Sequence, residues 1–275
     1  MKQHSQSIDF TAESGTIHGE LIIPEGTSPF PGAVLCHGLG TDHRSMRPSA
    51  LSLARHGIAT LSFDFRGHGK SDGLVNGNEA EDVIAALGRL LHHPKIDPQR
   101  IALVGHSMGA IAAIRAAAEA KYFRALILLS FPSAANERAA RFLSSVYHKS
   151  AQVGSLILEY PRHGPLPGTG KIEGMLCVLW MRLRRYRLHI DWERSLELWS
   201  RLRFIVDLER LGALPKLFVH CKGDRIAPYQ SVLELYRRAA PPKELFGAER
   251  GFHSAPLLPG RLRRRWIAWL VSALT

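Results

Sequence analysis

Short apolar runs alternate along this chain with longer segments in which apolar residues recur every three or four positions. The runs at 16–23, 32–37, 58–63, 101–104 and 125–130 predict strands, as do 217–221 and the shorter 243–246. The periodic segments at 46–56, 79–91 and 110–120 predict helices, and a last helix closes the chain. Strands that alternate with amphipathic helices predict an α/β fold with a mainly parallel sheet covered on both faces. The ligand of such a sheet belongs at the carboxyl ends of its strands. Between 131 and 213 the alternation stops and helical periodicity takes over, with a Pro/Gly-rich loop at 161–170 and no convincing buried strand. The predicted organisation is therefore a core of residues 1–130 and 214–275, interrupted by a helical insertion over 131–213.

The chemistry is concentrated where predicted strands end. Gly105-His106-Ser107-Met108-Gly109 follows the run at 101–104 and opens into the helix at 110–120. Strand, Gly-x-Ser-x-Gly and helix in that order form a nucleophile elbow, which lifts a serine hydroxyl clear of the sheet edge at a helix N-terminus. Ser107 is the candidate nucleophile. A serine hydroxyl is weak near neutral pH and needs a base, an acid to orient that base, and donors for an oxyanion. Asp224, in the turn leaving the strand at 217–221, is the candidate acid, and His253, in the small-residue loop Gly251-Phe252-His253-Ser254, the candidate base. Early in the chain, the strand at 32–37 runs into His37-Gly38-Leu39-Gly40, a turn able to aim a backbone N–H at the oxyanion. The expected donors are the amides of Leu39 and Met108. Each assignment has an ordinary structural alternative: serines before helices are commonly N-caps, and Asp beside Gly commonly makes a turn. The order Ser, Asp, His favours the catalytic reading. His37 and His106 are expected to shape the oxyanion turn and the elbow, and His68 to make a structural hydrogen bond. His92 and His93 are expected to face solvent at a helix end. No metal-ligand spacing is visible among the 14 histidines.

With these motifs and the block Asp64-Phe65-Arg66-Gly67-His68-Gly69-Lys70-Ser71-Asp72-Gly73, the chain resembles the α/β-hydrolase family. The likeness runs from about residue 16 to the end and is strongest to the branch of small esterases, monoacylglycerol-lipase-like enzymes and the serine aminopeptidase group. The resemblance implies that 131–213 is a helical lid over the active site. It also implies a serine hydrolase that needs no cofactor and no metal, with a small-molecule ester as substrate. Short-to-medium acyl or lysolipid-like esters suit the apolar insertion. The same triad also serves thioesters, amides and acyl transfer, and some proteins of this fold only bind.

Composition adds a cationic surface and one ambiguity. The 275 residues, 45% of them hydrophobic, suffice for one large core. Lys plus Arg number 36 against 24 Asp plus Glu, a formal charge of +12 that favours anionic surfaces and substrates. No nucleic-acid module accompanies that charge, so no nucleic-acid partner is expected. In the insertion the apolar run 175–181 precedes Arg182, Arg184, Arg185 and Arg187. The expected arrangement is an apolar side packed on the core with arginines in solvent; the alternative is a face that lies on an anionic membrane. Asp191 is expected to cap a helix with Trp192, Leu196 and Trp199 along one face. The last helix, with Arg261, Arg263, Arg264 and Arg265 before Trp266 and Trp269, is expected to pack its tryptophans on the sheet. The N-terminal residues form no apolar signal segment, which makes the cytoplasm the expected location, with reversible membrane attachment. Of Cys36, Cys177 and Cys221, the first and last fall in predicted buried strands, where a free thiol is a small hydrophobe.

Overall fold

The most apolar runs form the middle of a single large sheet. The computed structural model describes residues 3–132, 137–165, 171–201 and 204–275. Its first half comprises β1 (Gln3–Ala12), β2 (Gly15–Pro24), β3 (Phe30–Cys36), α1 (Arg47–Arg55), β4 (Ala59–Phe63), α2 (Glu79–Leu91), β5 (Ile96–His106), α3 (Met108–Glu119) and β6 (Phe123–Leu129). The insertion supplies α4 (Glu137–Val153), β7 (Ile157–Tyr160), α5 (Lys171–Leu183), β8 (Leu188–Asp191), α6 (Trp192–Arg201) and α7 (Phe204–Arg210). The chain then returns with β9 (Lys216–Cys221), α8 (Tyr229–Arg238), β10 (Lys243–Ala248) and α9 (Arg261–Leu274).

Eight strands pair in the order β1-β2-β4-β3-β5-β6-β9-β10. Every pairing from β4 to β10 is parallel, and β2 runs antiparallel to both β1 and β4. Parallel strands require cover on both faces. One apolar cluster, centred on Leu35, Val104, Ile127, Val219 and Trp266, lies under α1 and α9. The other, centred on Val34, Leu103, Leu126 and Phe218, lies under α2, α3 and α8. Trp266 is fully buried and donates its indole N–H to the Pro256 carbonyl, while Trp269 is half-buried and bonds Glu244.

Two departures from the sequence expectation have physical causes. The first ten-residue strand, β1, lies at the sheet edge with mostly exposed polar side chains, so it carries no apolar run. Its register comes from a full antiparallel ladder with β2, from Gln3 opposite Pro24 to Ala12 opposite Gly15. Second, the insertion contains a small antiparallel sheet, β7 with β8. Each strand has only four residues, too few to show a period. β8 is anchored by a backbone ladder on the loop after β4: Gly69 N–H to Arg187 O, His189 N–H to Gly67 O, Val75 N–H to His189 O and Asp191 N–H to Val75 O. The Asp191 carboxylate accepts from the Arg194 N–H at the start of α6, with Trp192 buried beneath. The side chains of Cys177 and Trp199, and residues 166–170 of the Pro/Gly-rich loop, lie outside the described residues. Cys36 and Cys221 are free and buried.

The loop after β4 is pinned by buried charge. The Arg66 guanidinium makes a forked pair with Asp82 at 2.8–3.1 Å, both side chains almost wholly inaccessible. Asp64 accepts from the His43 backbone N–H and from the Lys70 N–H, and its Oδ1 lies 2.6 Å from His43 Nδ1. Burial alone would raise the Asp64 carboxyl, but the bonds and charge of His43 outweigh it and bring it down to about 2.

Candidate functional site

Parallel register brings the ends of four strands to one edge. Cys36 pairs with Gly105, Gly105 with Leu128, and Leu129 with Val219, so the loops after β3, β5, β6 and β9 leave the sheet together. The turn after β5 is tight: a Cβ on Gly105 would strike the Gly109 carbonyl and the Ala110 backbone, and one on Gly109 would strike the carbonyls of Cys36 and His37. Between them Ser107 holds φ 54° and ψ −121°, a conformation costly for any L-residue. Ser107 occupies the N-cap position of α3 but makes no side-chain cap bond there.

Its hydroxyl turns instead to a histidine. Ser107 Oγ lies 2.8 Å from His253 Nε2, and His253 Nδ1 lies 2.8 Å from Asp224 Oδ2. Asp224 is itself fixed, since its Oδ1 accepts from the Ile226 and Ala227 N–H groups. Burial would raise this carboxyl, but the hydrogen bond and charge of His253, with the two amides, hold it below the ordinary aspartate value. An ionised Asp224 requires the proton on His253 Nδ1, which leaves Nε2 free to accept from the serine.

The two expected backbone donors are available. Among the described residues neither the Leu39 nor the Met108 N–H makes a hydrogen bond. The loop bearing Leu39 is held by two neutral histidines. His37 Nε2 accepts from the Phe65 N–H, so its Nδ1–H donates to the Gly38 carbonyl at 2.8 Å. His68 Nε2 accepts from the Gly40 N–H at 3.3 Å, and its Nδ1–H donates to the Arg66 carbonyl. Burial lowers the pKa of both rings, that of His68 to about 3. His106 donates Nε2–H to the His253 carbonyl at 3.1 Å, and burial takes it to about 3 as well. His92, in contrast, is exposed and bonds the Gly88 carbonyl at the end of α2.

Two supports escape sequence reading. Ser130, at φ 48° just past β6, donates its hydroxyl to the His253 carbonyl at 2.6 Å. Tyr186, between α5 and β8, donates its hydroxyl to the Thr41 carbonyl at 2.6 Å and ties the insertion to the loop after β3. Neither stands in a motif. Among the described residues no three His, Cys, Asp or Glu side chains gather as a metal-ligating group. A cavity of 380 Å³ lined by Lys121, Arg124, Arg210 and Leu214 lies at the opposite edge, where β6 and β9 begin. It has no contact with the serine and histidine.

Comparison with known proteins bears on the fold and the family. The chain is 25% identical over 256 residues to the uncharacterized protein YfhR of Escherichia coli O157:H7, covering 90% of this chain and 73% of that one. It is 32% identical over 96 residues to the peroxisomal succinyl-coenzyme A thioesterase of Mus musculus, covering 35% and 22% of the two chains. The structure of the Pyrococcus furiosus esterase Pf2001 superposes with a TM-score of 0.67 at 21% identity, over 98% of this chain and 90% of the esterase. The sequence profile described as the alpha/beta hydrolase family matches residues 33–266, the stretch that runs from β3 through the elbow and both later loops into α9. By fold and by sequence, the chain belongs to the alpha/beta hydrolase family.

Proposed function

We propose that this hydrolase-fold protein cleaves carboxylic esters through an acyl-enzyme on Ser107. The observation that carries the reading is the continuous chain from Ser107 Oγ through His253 to Asp224, with both links at 2.8 Å. His253 Nε2 takes the serine proton as Oγ attacks the ester carbonyl. The amides of Leu39 and Met108 receive the oxyanion, and the dipole at the start of α3 favours that charge. Asp224 holds the imidazole tautomer and stabilises the imidazolium. The alkoxide leaves with the proton from His253, and water then repeats the sequence on the acyl-enzyme to release the acid. Ser130 and His106 act through His253 by fixing its carbonyl, and are positioning residues. In this reading residues 131–213 form the lid, and its apolar content suits short-to-medium acyl or lysolipid-like esters.

A thioester substrate is the second reading, favoured by the identity shared with the mouse thioesterase over 96 residues. Hydrolysis of a p-nitrophenyl ester series from acetate to palmitate, beside acyl-coenzyme A thioesters of matched length, separates the two. Ser107→Ala is expected to lose turnover by on the order of a millionfold, as removal of a triad nucleophile does. It should also lose labelling by an activated fluorophosphonate while keeping its circular dichroism. Label retained in that variant would remove Ser107 from the mechanism. A folded, probe-inert wild type with no turnover would support a binding role.

A further inference from the structure

Helix α5 presents its apolar side to solvent. Met175, Leu176, Leu179, Trp180 and Leu183 are all exposed, Met175 at 67% and Leu183 at 77%, whereas Met181 is fully buried. At about 100° per residue the five exposed side chains share one arc of about 140°, and Met181 lies well outside it. The helix therefore packs by its other side, contrary to the sequence expectation that its apolar side lies on the core. Arg182 borders the arc, and Arg184, Arg185 and Arg187 follow at the end of the helix, all four exposed. Among the described residues none of the four makes an ion pair. Through Tyr186 this end of α5 sits on the loop after β3, at the same sheet edge as Ser107. Two more exposed apolar side chains, Ile226 and Phe252, stand beside Asp224 and His253 on that edge.

We propose that α5 is an interfacial anchor that seats this edge of the molecule on an anionic lipid bilayer. Charge complementarity selects that occupant: a helix lying in the interface buries its apolar arc among the acyl chains while flanking arginines meet lipid phosphates. The formal charge of +12 adds long-range attraction to such a surface. Among the described residues no helix is long and apolar enough to cross a membrane. Trp180, at the edge of the arc, has the amphipathic ring suited to headgroup depth.

Cosedimentation of the full chain with vesicles tests this without reference to turnover. Vesicles of phosphatidylcholine and phosphatidylglycerol in equal parts should bind it, and phosphatidylcholine alone should bind it far less. A Leu179→Glu, Leu183→Glu variant should lose binding. Arg184→Gln, Arg185→Gln, Arg187→Gln should weaken it by on the order of a hundredfold. These side chains are exposed, so both variants should keep the wild-type circular dichroism and melting temperature. A Trp180→Phe variant should lack part of the emission blue shift seen on binding. Absence of binding to the anionic vesicles, or binding undiminished in both variants, overturns the proposal. So does a wild-type dimer that the glutamate pair converts to monomer with no vesicle binding, since a second copy would then cover the face.

Discussion

At Ser107 the backbone occupies a region that costs a non-glycine residue about 1–3 kcal/mol, and the neighbours Gly105 and Gly109 leave no room to relax. Strain of this kind is separable from chemistry. Ser107→Gly and Ser107→Ala both remove the hydroxyl, but glycine alone is at ease at φ 54°. We expect the glycine variant to be more stable than the alanine variant by about 1 kcal/mol in urea unfolding; equal midpoints would mean that the turn is not strained. Arg66 poses the opposite case, a charge whose removal strands its partner. Arg66→Ala leaves the Asp82 carboxylate buried without its fork, a loss of about 3–5 kcal/mol, checked by the same measurement. Sequence order brought Ser107, Asp224 and His253 into view because each stands in a short motif at a strand end. Ser130 and Tyr186 stayed hidden because their partners, His253 O and Thr41 O, lie 123 and 145 residues away along the chain.

The elements of the sheet centre were legible for the reason that they are buried. β3, β4 and β9 are enclosed on both faces and so read as continuous apolar runs. β1 is held by its ladder to β2 and not by burial, and β7 and β8 are short and supported by the loop after β4; none of these leaves a periodic trace. The segment of α5 carries helical periodicity, but periodicity cannot say which way an amphipathic face turns. The attachment of the insertion makes a prediction at this scale. Tyr186→Phe deletes the hydroxyl that reaches Thr41 O and should cost about 1 kcal/mol of stability. Because Thr41 follows the Leu39 turn, hydrogen exchange at the bonded amides of Gly40 and Thr41 should quicken more than at those of β5. Unchanged exchange at both places would show that the insertion does not brace that turn.

For the whole molecule, the groups that decide its response to acid are the neutral histidines packed around the site. His37, His68, His106 and His220 are buried, and burial lowers each, His68 and His106 to about 3. A histidine near 6.5 in the unfolded chain and near 3 in the folded one binds more protons when unfolded throughout that interval. Stability therefore rises with pH, is full above about 6.5, and falls on acidification by roughly 1.4 kcal/mol per pH unit for each such ring. Asp64 acts in a lower window: with its folded value at about 2, its contribution is complete above the ordinary aspartate value and disappears only as pH falls toward 2. Between about pH 4.5 and 6 His68 with His106 contribute roughly 2–3 kcal/mol per pH unit, opposed in part by Glu79 and Asp82, whose carboxyls burial raises in the folded protein. Against a typical total of about 5–15 kcal/mol, that contribution is a large share of the stability for each pH unit. Urea midpoints measured across this range should fall steeply in the wild type and less steeply in His68→Gln, by roughly 1.4 kcal/mol per pH unit, the share of the one ring removed, while His37, His106 and His220 remain. A flat profile in the wild type would mean that these rings are hydrated or already charged in the folded protein, and that the two bonds bracing the Leu39 turn, which need neutral rings as acceptors, are not made.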